Sequence, residues 1–291
     1  MALSKPRRRG GYRSEETEQV VAACLTVAVT LGAFMDSLCI VGGLVPGLII
    51  DRRVAVSLKE DEQHAGTNDL DVALAIGLLD ENQYSEIANR LRQEGFRPDV
   101  NENGNPTPQR WKLPGLKVTI DFLLPPLSEN DRGGRVQPLE GDFGAVIAPG
   151  LEMAFDEKLE VELDGHTLRG EAATRTIPVC GPGAFVVLKS FALHERGEPK
   201  DAYDLVYVLR RWPGGAEDIA GRLADQRGVH GALIQRALNS LASDFRSPDS
   251  IGPQRVADFD EVRGEDRDAA TADAHGYVDD FLRACGRRDL R

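Results

Sequence analysis

Residues 66–74 read GTNDLDVAL. Asp69 and Asp71 stand one residue apart in a segment whose Leu70, Val72, Ala73 and Leu74 describe a strand bound for the interior. Side chains alternate along a strand, so Asp69 and Asp71 share one face while Leu70 and Val72 share the other. Two like charges then converge. Such a pair persists when a divalent cation compensates it, and magnesium favours a few carboxylate oxygens together with phosphate oxygens and water. In an acidic protein a lone Asp-x-Asp is more often a solvated loop or strand edge, so the neighbouring segments carry the decision.

Upstream, Leu38–Val41 is a short apolar strand, Gly42-Gly43 permits a tight turn, and Pro46 suits the first turn of a following helix. Backbone N–H groups at a helix start hold phosphate oxygens, although glycine pairs also mark ordinary turns. Downstream, KVTIDFLL (117–124) places Val118, Ile120 and Phe122 on one face and Asp121 on the other, with Lys117 and Thr119. Asp121 is therefore a third acid able to join the pair.

The remaining pattern is a mixed α/β core followed by a helical part. Val20–Met35 is the most apolar stretch, shorter than the roughly 20 residues of a bilayer span, and is expected as a buried helix capped by Ser14. A helix is expected over Asp80–Glu94, ended by Gly95. Strands are expected over 96–100, 109–113 and 116–124, with NENGNPTP (101–108) joining the first two, and shorter ones within 158–179 around the turn DGH. Residues 57–66 are expected as a loop. The expected division is a flexible basic tail over 1–13, a core over 14–180, and a helical part over 181–291 with a polar linker near 246–266 before a last helix at Arg267–Cys285.

The chain has 291 residues, 41% of them hydrophobic, a net charge of −12 and a pI near 5.0. That balance excludes a broad basic face for nucleic acid, so any such contact is local: the N-terminal KPRRR, or Arg210 and Arg211. Cys24, Cys39, Cys180 and Cys285 are far apart without metal spacing and suit buried, reduced thiols in a cytoplasmic protein. The basic start lacks the apolar run of a secretory signal.

In the helical part, GAFVVLKSFAL (183–193) is apolar nearly all round apart from Lys189, whose ammonium group needs an anion nearby. A triphosphate would supply one. In KDAYDLVYVL (200–209), Asp201 and Asp204 share one helical face. Lys189 and Asp204 equally suit an internal ion bridge, which can itself orient a phosphate-binding lysine. His64, His166, His194, His230 and His275 are dispersed and receive no role.

The order IVGG (40–43), GTNDLDVAL (66–74), VTIDFLLP (118–125) and LKSFALHERGEPKDAYDL (188–205) resembles the AbiEii family of nucleotidyltransferase toxins, relatives of the MenT toxins, over roughly residues 38–210. Its lysine helix, short loop and KDxxD form the most specific part. The resemblance implies a nucleotidyltransferase-type mixed sheet with flanking helices, and an enzyme moving NMP from an NTP to an acceptor hydroxyl. It implies that Gly42, Gly43 and Thr67 lie at the nucleotide, that Asp69, Asp71 and Asp121 hold Mg2+, and that Lys189 meets the triphosphate with Asp204 as its companion. The implied acceptor is a tRNA 3′ end and the implied partner an antitoxin protein, with no membrane. Transfer to a small molecule such as an aminoglycoside, and a catalytically inactive nucleotide-binding module, are the alternatives. Two departures stand out: Gly43 occupies a position where many members carry serine, and Ala65 one where an arginine is frequent.

Overall fold

The computed structural model describes residues 6–52, 62–75, 80–128 and 131–289. The chain divides into two compact units. One comprises Tyr12–Val45 and Gly66–Cys180; the other comprises Pro6–Gly11, Pro46–Ala65 and Gly181–Arg291.

The first unit is a mixed sheet with helices. Its strands are β1 (Leu38–Val41), β2 (Asp69–Leu74), β3 (Arg97–Val100), β4 (Pro106–Lys112), β5 (Thr119–Leu124), β6 (Val136–Glu140), β7 (Phe143–Ile147), β8 (Lys158–His166) and β9 (Ala172–Cys180). The order is β3-β4-β5-β2-β1-β9-β8, with β7 pairing both β5 and β6. β2 runs antiparallel to β1 and parallel to β5, so both its edges are hydrogen-bonded. That central position explains the apolar alternation. Leu70 and Val72 join Ile40, Ile120, Phe122 and Trp111 in the buried core. Phe143 closes this core with edge-to-face contacts to Phe122 and Trp111 at centroid distances of 5.0 and 5.8 Å.

Helix α1 spans Ser14–Thr30, and a 3-10 segment continues over Gly32–Ser37. Arg13, rather than the expected Ser14, occupies the N-cap, and its side chain makes no capping bond. Thr26 fixes the helix to the β8–β9 loop by accepting from the Leu168 N–H at 2.9 Å. Helix α2 (Glu81–Gln93) begins with a reciprocal capping box between Asp80 and Gln83. A one-turn helix, α3, covers Met153–Asp156.

The second unit is helical: α4 (Pro182–Arg196), α5 (Pro199–Arg211), α6 (Gly215–Asp244), α7 (Ile251–Phe259) and α8 (Glu265–Asp289). No helix among the described residues is long and apolar enough to cross a membrane.

Several expectations are corrected. The 246–266 segment contains α7, with Val256, Ala257 and Phe259 buried, instead of a linker alone. Pro253 misled there, because proline is tolerated in a first turn whose N–H groups have no helical acceptor. The basic start, expected as a flexible tail, is tied down from Pro6: Arg8 donates to Glu261 at 3.0 Å and Arg9 to the Gln63 carbonyl at 2.9 Å. Residues 1–5, and residues 57–61 of the loop expected over 57–66, lie outside the described residues. The DGH turn belongs to β8, and the chain reverses over Thr167–Glu171. The β6–β7 hairpin was not expected at all.

Candidate active site

Strand register brings the acids together. Asp71 lies opposite Asp121 and Asp69 opposite Thr119 across β2 and β5. Cross-strand partners point to the same side of a sheet, so Asp69, Asp71 and Asp121 gather on one face, away from the Leu70, Val72 and Phe122 core. One oxygen from each of the three carboxylates lies within 4.8 Å of the others. The clustering expected from three separate sequence segments is therefore present.

The surrounding backbone is shaped to this cluster. β1 ends at Val41, opposite Asp71, and Gly42 follows with φ +72°. A Cβ on Gly42 would fall 1.9 Å from Asp71 Oδ2. Glycine is thus required twice, once by the left-handed backbone and once by the carboxylate against its Cα. Gly43 is buried beside it. Thr67, which the resemblance places at the nucleotide, donates from Oγ1 to Asp69 Oδ1 at 3.0 Å and orients that carboxylate. Entry into β2 is set by Thr17 of α1, which accepts from the Thr67 N–H at 3.3 Å. Gly66, at φ +87°, makes room, since its Cβ would meet Thr17 Oγ1 at 2.0 Å.

Sequence reasoning missed Arg110. It sits opposite Asp121 in the β4–β5 ladder and donates to both its carboxylate oxygens, Nε to Oδ1 and Nη2 to Oδ2, each at 2.6 Å. The hydrogen bond to Asp121 raises the Arg110 pKa despite partial burial, with Asp69 and Asp71 adding attraction. Its signal was the alternation Arg110-Trp111-Lys112, which puts Arg110 on the polar side of β4; only the register shows which acid it meets.

Lys189 and Asp204 lie in the helical unit and form a buried network there. Lys189 Nζ donates to Asp201 Oδ1 at 3.0 Å and Asp204 Oδ2 at 2.7 Å. Asp204, fully buried, also accepts from Lys200 and, at 2.8 Å, from His64 Nε2. Arg196 holds Asp201 through two bonds of 3.0 and 2.9 Å. The internal ion bridge allowed for Lys189 and Asp204 is real. Burial works against the Asp204 charge, but Lys189, Lys200 and His64 outweigh it and hold the carboxyl well below its usual range. Burial likewise opposes the Lys189 charge, yet Asp204 and Asp201 raise its pKa. Burial, with Lys200 alongside, lowers His64 to about 4, so it is neutral and its Nε2–H donates to the carboxylate.

His64 is the second missed residue. Its ring stacks on Tyr203 at 5.3 Å, and its backbone N–H donates to Asp51 Oδ2 at 3.0 Å. The Ala65 N–H donates to Tyr203 Oη at 3.0 Å, so the position that carries arginine elsewhere serves here as a backbone anchor.

The four cysteines are buried thiols. Burial pushes Cys39 up to about 12, leaving it inert as a nucleophile at neutral pH.

The sequence profile described as "Nucleotidyl transferase AbiEii toxin, Type IV TA system" matches residues 66–284. The chain belongs to the AbiEii family. This AbiEii chain is accordingly a nucleotidyltransferase, and the family match runs through the C-terminal helices, well beyond the 38–210 span legible in the motifs. No curated protein matches it. Among solved structures, the solution structure of the antibiotic-resistance factor ANT(2'')-Ia aligns at 15% identity over 73% of the AbiEii chain and 96% of that chain, with a TM-score of 0.34.

Proposed function

We propose that this AbiEii chain is a divalent-metal-dependent enzyme that transfers NMP from an NTP to the 3′-terminal hydroxyl of a tRNA, as a toxin restrained by an antitoxin protein. The observation that carries the metal and donor assignment is the convergence of Asp69, Asp71 and Asp121. Their oxygens are hard donors suited to magnesium. Three carboxylates with the one guanidinium of Arg110 leave two negative charges within this set, which one divalent cation would balance. With no Cβ at Gly42, the Asp71 carboxylate packs directly against the turn.

A cation held by Asp69, Asp71 and Asp121 would polarise the α-phosphate and screen the charge of departing pyrophosphate. The protein's own groups supply the rest. Thr67 keeps Asp69 aimed, and the proposed contacts for phosphate oxygens are backbone N–H groups of the Gly42-Gly43 turn. Each Asp121 oxygen gives one lone pair to Arg110 and retains another for the cation or the acceptor proton. The acceptor oxygen bonds to the α-phosphorus as the bond to the β-phosphate oxygen breaks. For Lys189 the proposed role is the phosphate contact of the helical unit, supported by a network in which Lys189, Lys200 and Arg196 face two carboxylates.

The test uses purified protein, each labelled NTP in turn, magnesium and total cellular RNA, with an aminoglycoside as competing acceptor. A labelled tRNA band that chelator abolishes is the expected result. Label on the drug alone would redirect the acceptor assignment, and nucleotide binding without turnover would make this an inactive module.

A further inference from the structure

We propose, resting on the RNA reading above, that an arginine-lined cleft within the helical unit docks the phosphate backbone of a polynucleotide. The cleft has a volume of about 350 Å³. Arg7, Arg8, Arg196, Arg255, Arg263 and Arg267 line it, against the acids Glu198, Asp258 and Glu261. In a chain of net charge −12, six guanidiniums around one small cleft are a strong local reversal of sign.

The arginines differ in how firmly they are engaged. Arg267 forms the fixed floor, donating to Gln254 Oε1 at 2.6 Å and Asp258 Oδ1 at 2.9 Å. At the mouth, Arg7 and Arg8 are 77% and 67% exposed, and their pairs with Glu198 and Glu261 are surface contacts of little net worth. A phosphate, which takes charge-assisted bonds from guanidinium forks, can displace them. Arg255 Nε is buried with no hydrogen-bond partner among the described residues, a donor left over inside the lining. Arg263 is exposed and makes no side-chain hydrogen bond or ion pair among the described residues.

The rest of the lining selects the ligand. It is Gly197, Pro199, Ala257 and Val262, with no aromatic ring. A base would find nothing to stack on, so the cleft reads phosphates without reading sequence. A free nucleotide would leave its base unstacked, whereas a strand brings successive phosphates to successive arginines.

The test compares the full chain with the double variant Arg8→Gln, Arg263→Gln, both at exposed positions. Binding of a labelled single-stranded RNA of about 20 nucleotides is followed against salt, with inorganic triphosphate and poly-glutamate as rival anions. The expected result is RNA affinity reduced about tenfold, a salt slope shallower by roughly 0.7 per lost contact, and equal behaviour of single-stranded DNA. Magnesium-dependent NTP binding should match wild type, which shows that the fold is intact. Unchanged RNA affinity and slope in the variant would overturn the cleft while leaving RNA labelling by the wild type, and so the broader reading, standing. Loss of triphosphate or poly-glutamate binding with RNA binding retained would overturn it in favour of a small polyphosphate or an acidic protein. Wild-type protein that neither binds nor labels RNA would overturn both.

Discussion

Arg110 grips Asp121 through two 2.6 Å hydrogen bonds, so the third acid of the cluster already has a cationic partner supplied by the adjacent strand. This guanidinium relieves part of the repulsion among Asp69, Asp71 and Asp121, and its positive charge opposes that of any metal at the same cluster. Replacing Arg110 with Gln removes one positive charge from the cluster's edge. Manganese or magnesium should bind the nucleotide-free variant about tenfold more tightly by calorimetry, the scale of one partly screened unit charge. Weaker binding would mean that Arg110 chiefly positions Asp121.

Gly42→Ala should fail twice over. The substitution forces a side chain into a left-handed backbone and drives a Cβ into the Asp71 carboxylate. We expect roughly 1–3 kcal/mol lower stability in urea unfolding, together with loss of cation binding as Asp71 is displaced. An alanine variant with native stability and native metal affinity would show that the turn tolerates the intrusion.

Asp71→Asn keeps the shape of the side chain and removes one of three clustered charges. Transfer should fall by at least about a hundredfold, while stability stays within roughly 1 kcal/mol of wild type or rises. Retained transfer at wild-type rate would remove Asp71 from the metal site.

His64 makes stability depend on pH. The unfolded chain takes up a proton near pH 6.5 that folded His64 refuses until about pH 4. Across that window the unfolded state binds more protons, so stability falls as pH drops, by up to roughly 1 kcal/mol per pH unit. Asp204 acts below it: its contribution is present above the usual carboxylate value and is lost as pH falls further. Denaturation midpoints measured between pH 7 and 4 should decline less steeply for His64→Gln than for wild type. Parallel slopes would place the charged histidine inside the fold.

Much of the site was legible in the chain because strand periodicity is a local property. Alternation in 66–74 and 117–124 assigned Asp69, Asp71 and Asp121 to polar faces, and the helical period of 80–94 located α2. The β6–β7 hairpin escaped notice because Val136–Glu140 is short, has no fully buried residue and is interrupted by Pro138. The helix at Ile251–Phe259 was hidden by Gly252 and Pro253, residues that usually signal a linker.

By itself, then, the order of residues determined that three acids would face away from an apolar core, that a glycine turn would precede them, and that a buried lysine would need an anion nearby. Only the tertiary structure decided that Arg110 is the partner of Asp121, and that His64 completes the Asp204 network from 140 residues away. The physical reason is that side-chain alternation depends on neighbouring torsions, whereas an ion pair between distant segments depends on strand register and helix docking.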